Sequence, residues 1–131
     1  ANFMPDGGSI INLLSMGSER YLEDYAPVGI SKAALTTMMY YLAVELAPKG
    51  IRVNSVSGGL VEGTDGFDLL DRMSKRRGGD VVTDYTAKVP AGRNVTPEDM
   101  AQAVLYLVLP GLSMTTGQVL YVDGGYRLRG W

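Results

Sequence analysis

The chain has 131 residues, 46% of them apolar and 20% charged, a composition that folds as a globular domain and excludes a disordered or solvating tail. It contains neither cysteine nor histidine, which excludes disulfides, thiolate nucleophiles, Cys/His zinc sites and imidazole acid–base chemistry and leaves catalysis to Tyr, Lys, Ser or carboxylates. Twelve Lys and Arg against fourteen Asp and Glu give a net charge of −2, which argues against nucleic acid as a partner.

The length fits one ordinary domain or half of a large one. No stretch approaches roughly 18 uninterrupted apolar residues, and Ala1-Asn2-Phe3-Met4-Pro5-Asp6 lacks the pattern of a signal peptide. A cytoplasmic protein with no membrane partner is expected.

In chain order, Ser9-Ile10-Ile11-Asn12-Leu13-Leu14 follows the turn Asp6-Gly7-Gly8 and reads as a buried strand. A loop through Gly17, Ser18, Glu19 and Arg20 comes next. From Pro27 to Ala47 the chain has one breaker, Gly29, and stops at Pro48-Lys49-Gly50, as a helix does. Residues 33–44 are apolar on nearly every side of that helix, so burial on both sides is expected. Ile51-Arg52-Val53-Asn54-Ser55-Val56 alternates in period two and reads as a second strand, opening into the glycine-rich loop from Ser57 to Thr64.

The charged segment from Gly66 to Ala87, broken by Gly78-Gly79, fits two short helices or a partly mobile excursion. Thr96-Pro97-Glu98-Asp99 starts a helix that runs to Leu109, with a hydroxyl cap, proline in the first turn and acids near the helix's positive end. Gly117 to Val122 is a third strand, closed by Asp123-Gly124-Gly125. The order β-α-β-α-α-β, with connections long enough for crossovers, predicts an α/β fold: three parallel strands of a doubly wound, Rossmann-type sheet with helices on both faces.

Tyr25 and Lys32 are the candidate chemistry. A Tyr and a Lys work as a pair because a nearby positive charge favours the phenolate. Seven positions on a helix turn through about 700°, so both side chains leave one face. The pair follows a strand, and sites of open α/β sheets lie at the strands' carboxyl ends.

Gly8-Ser9-Ile10-Ile11-Asn12, Tyr25 with Ser31-Lys32-Ala33-Ala34, Ala47 through Asn54, Pro90-Ala91-Gly92-Arg93 and Thr116-Gly117-Gln118 through Gly125 together resemble the C-terminal half of a short-chain dehydrogenase/reductase. Most members carry the catalytic Tyr four residues before the Lys, where this chain has Val28. The wider spacing here resembles the enoyl-acyl carrier protein reductase branch, and Ser57-Gly58-Gly59 resembles its NADPH-using, bacillus-type members.

The resemblance implies hydride transfer from NADPH, or NADH, to the β-carbon of a 2-enoyl thioester in fatty acid or polyketide synthesis. It makes Tyr25 the enolate-stabilising acid and Lys32 the residue holding the nicotinamide ribose. It places Leu14, Ser15, Tyr25, Lys32, Gly58, Gly59, Leu60 and Thr64 around the cofactor, and Ser15, Tyr21, Tyr25, Phe67 and Leu70 around the substrate. It also implies an acyl carrier protein or coenzyme A thioester partner, and a homodimer or homotetramer paired through the apolar helix; Arg72, Lys75, Arg76 and Arg77 form a basic cluster that reads either as a docking face for an acidic carrier or as a solvated face.

No Gly-x-Gly-x-x-Gly joins a strand to a helix. Residues 1–131 are therefore expected to be the C-terminal half of one domain whose other half holds the diphosphate. Two alternatives stay open: a carbonyl reductase of the same family, and a non-catalytic α/β unit that acts only in assembly.

Overall fold

The computed structural model describes Met4 and residues 6–129. Three strands, β1 (Gly8–Ser15), β2 (Ile51–Gly58) and β3 (Val119–Val122), form one parallel sheet in the order β1-β2-β3. Helix α1 (Ala26–Leu46) joins β1 to β2; α2 (Asp65–Arg76), α3 (Val81–Thr86) and α4 (Pro97–Val108) lie between β2 and β3. The expected α/β class and the parallel sheet are present, and the segment after β2 forms two helices. Among the described residues, no helix is long and apolar enough to cross a membrane.

The central strand explains the layering. Every residue of β2 is buried, and successive side chains of a strand point to opposite faces. Ile51 and Val53 join Met39, Ala43 and Leu46 of α1 in one core cluster, and Ser55 donates to Met39 Sδ at 2.9 Å. Arg52 points the other way. Its guanidinium donates to the carbonyls of Leu107 (2.6 Å) and Leu109 (3.3 Å) at the end of α4, satisfying groups that a helix terminus leaves without partners. Helices therefore cover both faces.

The period-two pattern of β2 proves not to be an inside–outside alternation. Its polar residues are buried, and Asn54 donates to Thr115 O (2.8 Å) and accepts from Gln118 N (3.0 Å), which ties the approach to β3 onto the central strand.

Two expectations of burial hold only in part. Strand β1 borders β2 alone, so Leu13 is 52% exposed. Helix α1 buries Gly29, Met39, Ala43 and Leu46 against the rest of the chain, but Ile30, Tyr41 and Val44 stay 70%, 67% and 77% exposed because no other element covers that side. At α4 the local signal was sufficient: Thr96 Oγ1 accepts from Asp99 N while the Asp99 carboxylate accepts from Thr96 N, a reciprocal capping box. Arg93 grips the same carboxylate at 2.6 and 2.9 Å and holds Asp99 far below the usual carboxylate range.

Candidate active site

Strand β1 ends in a 3₁₀ turn, Met16–Ser18, closed by a bond from Ser18 Oγ to Ser15 O (2.8 Å). The chain then reverses through Asp24, whose φ of +57° lies in the left-handed region that Asp tolerates better than most residues. Tyr25 is the N-cap of α1, its carbonyl accepting from Gly29 N at 2.8 Å. This places the half-buried phenol beside the end of β1, where its hydroxyl donates to Ser15 Oγ at 3.2 Å. Two turns along α1, Lys32 donates to the Leu13 carbonyl at 2.8 Å. One of three ammonium hydrogens is thus used to aim the group, and two remain for a ligand.

Two clefts meet at Tyr25. The larger, about 790 Å³, opens at the carboxyl ends of β1 and β2, and Leu14, Ser15, Tyr25, Lys32, Gly58, Gly59, Leu60 and Thr64 all line it. The smaller, about 280 Å³, is lined by Ser15, Tyr25, Leu60, Leu70, Arg77 and Tyr85 among others. Phe67 faces the larger cleft, and Leu70 borders both.

Tyr21 departs from the expectation. It is 86% exposed and lines neither of these two clefts; it borders a third groove, with Tyr25, Ile30 and Ala33, on the outer side of α1.

The glycines and Thr64 also serve other purposes than the sequence suggests. A Cβ on Gly59 would overlap the Tyr85 hydroxyl, and one on Gly58 would sit 2.9 Å from Met100 Sδ. Both are small because neighbouring side chains occupy the space. Thr64 caps α2, accepting from Phe67 N (3.2 Å) and donating to Val61 O (2.9 Å).

The basic cluster is similarly divided. Lys75 pairs with Asp71 at 2.8 Å and Arg72 Nε donates to Asp68 O. Arg77 instead reaches across the mouth of the smaller cleft to Glu23 (2.8 Å) and Asp24, tying α2 to the residues before Tyr25.

Tyr85 is the buried group that sequence reasoning missed. It stacks on Tyr126, with ring centroids 4.0 Å apart, packs with Leu60 and Val89, and is 7% exposed. Its hydroxyl has no hydrogen-bond acceptor among the described residues, and burial pushes its pKa up to about 12, so it stays protonated. Nothing in the charged run around it signals this. Met100 was missed as well, although a signal for it existed: Pro97, Met100, Ala101, Val104 and Leu105 recur at helical spacing and line the larger cleft.

The proteins this chain is similar to include nicotinamide-dependent oxidoreductases. A 1-cyclohexenylcarbonyl-CoA reductase of Streptomyces collinus is 39% identical over 125 residues, covering 95% of this chain and 43% of that protein. The enoyl-[acyl-carrier-protein] reductase [NADH] FabI of Rickettsia felis is 37% identical over 127 residues, covering 97% and 46%. The crystal structure of an enoyl-(acyl-carrier-protein) reductase from Anaplasma phagocytophilum in complex with NAD superimposes with a TM-score of 0.81 at 35% identity, over 99% of this chain and 45% of that one. The chain spans less than half the length of each. The family model for Enoyl-(Acyl carrier protein) reductase matches residues 1–127, and the chain belongs to that family.

Proposed function

We propose that the chain is the catalytic and substrate-covering half of an enoyl-thioester reductase that transfers a hydride from a nicotinamide cofactor to the β-carbon of a 2-enoyl thioester. The observation that carries this is the placing of Tyr25, at the junction of two clefts and seven residues before Lys32. The larger cleft suits a nicotinamide and its ribose, since it is open, mostly apolar and edged by an ammonium with two unused donors. When bound, the reduced nicotinamide supplies the hydride.

The residues of the chain do the rest. Tyr25 moves its hydroxyl bond from Ser15 Oγ to the thioester oxygen as that oxygen gains enolate charge, stabilising charge that exists only on the way to product. Lys32 holds the ribose hydroxyls. The apolar wall of Leu60, Phe67 and Leu70 excludes water from the acyl chain.

Ser57-Gly58-Gly59 supports NADPH as donor, and the NADH in the names of the FabI relatives supports the other cofactor; rates with each decide between them. The acyl group arrives on an acyl carrier protein or coenzyme A, with Arg72 and Arg76 on the exposed side of α2 as contacts for the acidic carrier. The uncovered side of α1 pairs with a second copy in a homodimer or homotetramer. Dehydrogenases among the relatives, one of them 36% identical, keep ketone reduction as the second reading.

The test is Tyr25→Phe in the complete enzyme with a crotonyl-type thioester: kcat falls by roughly 10²-fold with KM nearly unchanged. Lys32→Ala raises KM for the cofactor as well. A Tyr25→Phe enzyme with parental kcat overturns the assignment, and a preference for 3-oxo over 2-enoyl thioesters establishes the second reading.

A further inference from the structure

We infer that Gly17 and Gly29 are positioning residues for the Tyr25 phenol. This rests on the reading of Tyr25 as the reaction's acid. In the sequence, Gly17 looks like a loop residue and Gly29 like a flaw in a helix. In the structure the two glycines and the phenol ring form one stack. A Cβ on Gly17 would lie 2.5 Å from Tyr25 Cε1, and a Cβ on Gly29 would lie 2.5 Å from the Gly17 carbonyl oxygen. Separations below about 3 Å are essentially never seen for real Cβ atoms. Gly29 is buried in the first turn of α1, one helical bond from Tyr25.

The contacts run in series. The absent Cβ of Gly29 lets the 3₁₀ turn rest its carbonyl directly on the helix, and the absent Cβ of Gly17 lets the ring lie on that turn. The ring edge then sits where its hydroxyl meets Ser15 Oγ. The neighbouring bonds hold the turn from the other side: Ser18 Oγ to Ser15 O, and Glu19 N and Arg20 N to Met16 O. The half-buried ring borders open clefts, so it yields to an added Cβ by swinging into that space, which draws its hydroxyl off Ser15 Oγ. A side chain of one carbon at either position therefore displaces the hydroxyl by about 1 Å, a misplacement that can cost 10²-fold in rate.

A structural role alone would also disfavour these substitutions, so the experiment is a double-mutant cycle on kcat. Tyr25→Phe keeps the ring, and hence the clash, but removes the hydroxyl being positioned. In the complete enzyme, Gly17→Ala lowers kcat about 10²-fold while KM for thioester and cofactor stays within about threefold. In the Tyr25→Phe background the same substitution lowers kcat no further. Gly29→Ala, which acts one contact further back, gives the same pattern with a smaller loss and serves if Gly17→Ala does not fold.

Parental kcat in a folded Gly17→Ala or Gly29→Ala enzyme overturns the inference. So does an equal loss in both backgrounds, which is what packing alone produces. If Tyr25→Phe itself leaves kcat unchanged, the assignment of Tyr25 falls and this inference falls with it; if Tyr25→Phe is slow and the glycine variants are fast, this inference alone is wrong.

Discussion

The β1–α1 unit and the segment of residues 65–86 face each other across Tyr25, and they are held by different kinds of interaction. In the first, backbone carries the site: Lys32 is aimed by the Leu13 carbonyl, the phenol rests on the Gly17 turn, and eight residues of β1 pair in register with eight of β2. In the second, α2 has no buried residue and is joined to its surroundings by the Thr64 cap, an ion pair through Arg77, and half-buried Phe67 and Leu70 against Leu60, and the segment's one buried anchor is Tyr85 of α3. Backbone ladders and core contacts open only with global unfolding, whereas side-chain tethers at a surface open locally and cheaply. Under the proposed function, the reacting groups would stand on the part that stays fixed, and the cover over the acyl chain is expected to be the part that moves.

Truncation in each region gives the largest expected contrast. Met39 is fully buried between α1 and β2, so Met39→Ala lowers the unfolding free energy by about 2–5 kcal/mol in denaturant titration. Leu70→Ala, in the half-exposed cover, costs about 1 kcal/mol. Equal costs would remove the distinction.

Hydrogen exchange sharpens it. Without ligand, the amides of 65–86 exchange faster than those of Ile51–Val56, and cofactor plus acyl thioester together protect them. Arg77→Ala, or salt of about 1 M, speeds exchange in 65–86 further, because the pair is exposed and worth about 1 kcal/mol or less. Exchange in 65–86 as slow as in β2 without ligand would make the segment ordinary packed structure.

The smallest effect concerns Tyr85. Its hydroxyl has no acceptor among the described residues, so Tyr85→Phe is close to neutral near pH 7. At high pH the two proteins diverge. Burial raises the Tyr85 pKa from 10.0 to about 12 in the folded state. The native chain therefore keeps a proton that the unfolded chain gives up, and stability that is full below pH 10 is lost as pH rises toward 12. Tyr85→Phe removes its share of that slope. Part remains, since Tyr121, desolvated and bonded to Glu19, is likewise pushed up to about 12. Identical pH profiles for the two proteins would show that the phenol is not held from solvent.

Features governed by neighbours in the chain were legible in the sequence. The Thr96 cap needs only Pro97 to Asp99, the Tyr25–Lys32 face follows from helical periodicity, and parallel strands follow from the long connections between them. The positions that line the larger cleft at the ends of β1 and β2 were legible too, through family resemblance, whereas its α4 wall of Met100, Val104 and Leu105 was not read.

What sequence could not reveal depends on residues far apart in the chain. Arg52 is buried because helix carbonyls 55 and 57 positions away accept its guanidinium. Gly59 is small because Tyr85 fills its place, and Tyr21 lies on the outer side of α1 rather than in either cleft. Local propensity acts within a few residues and leaves its mark on the sequence. Packing and the pairing of buried polar groups depend on which distant segments meet, and the tertiary structure alone decided that.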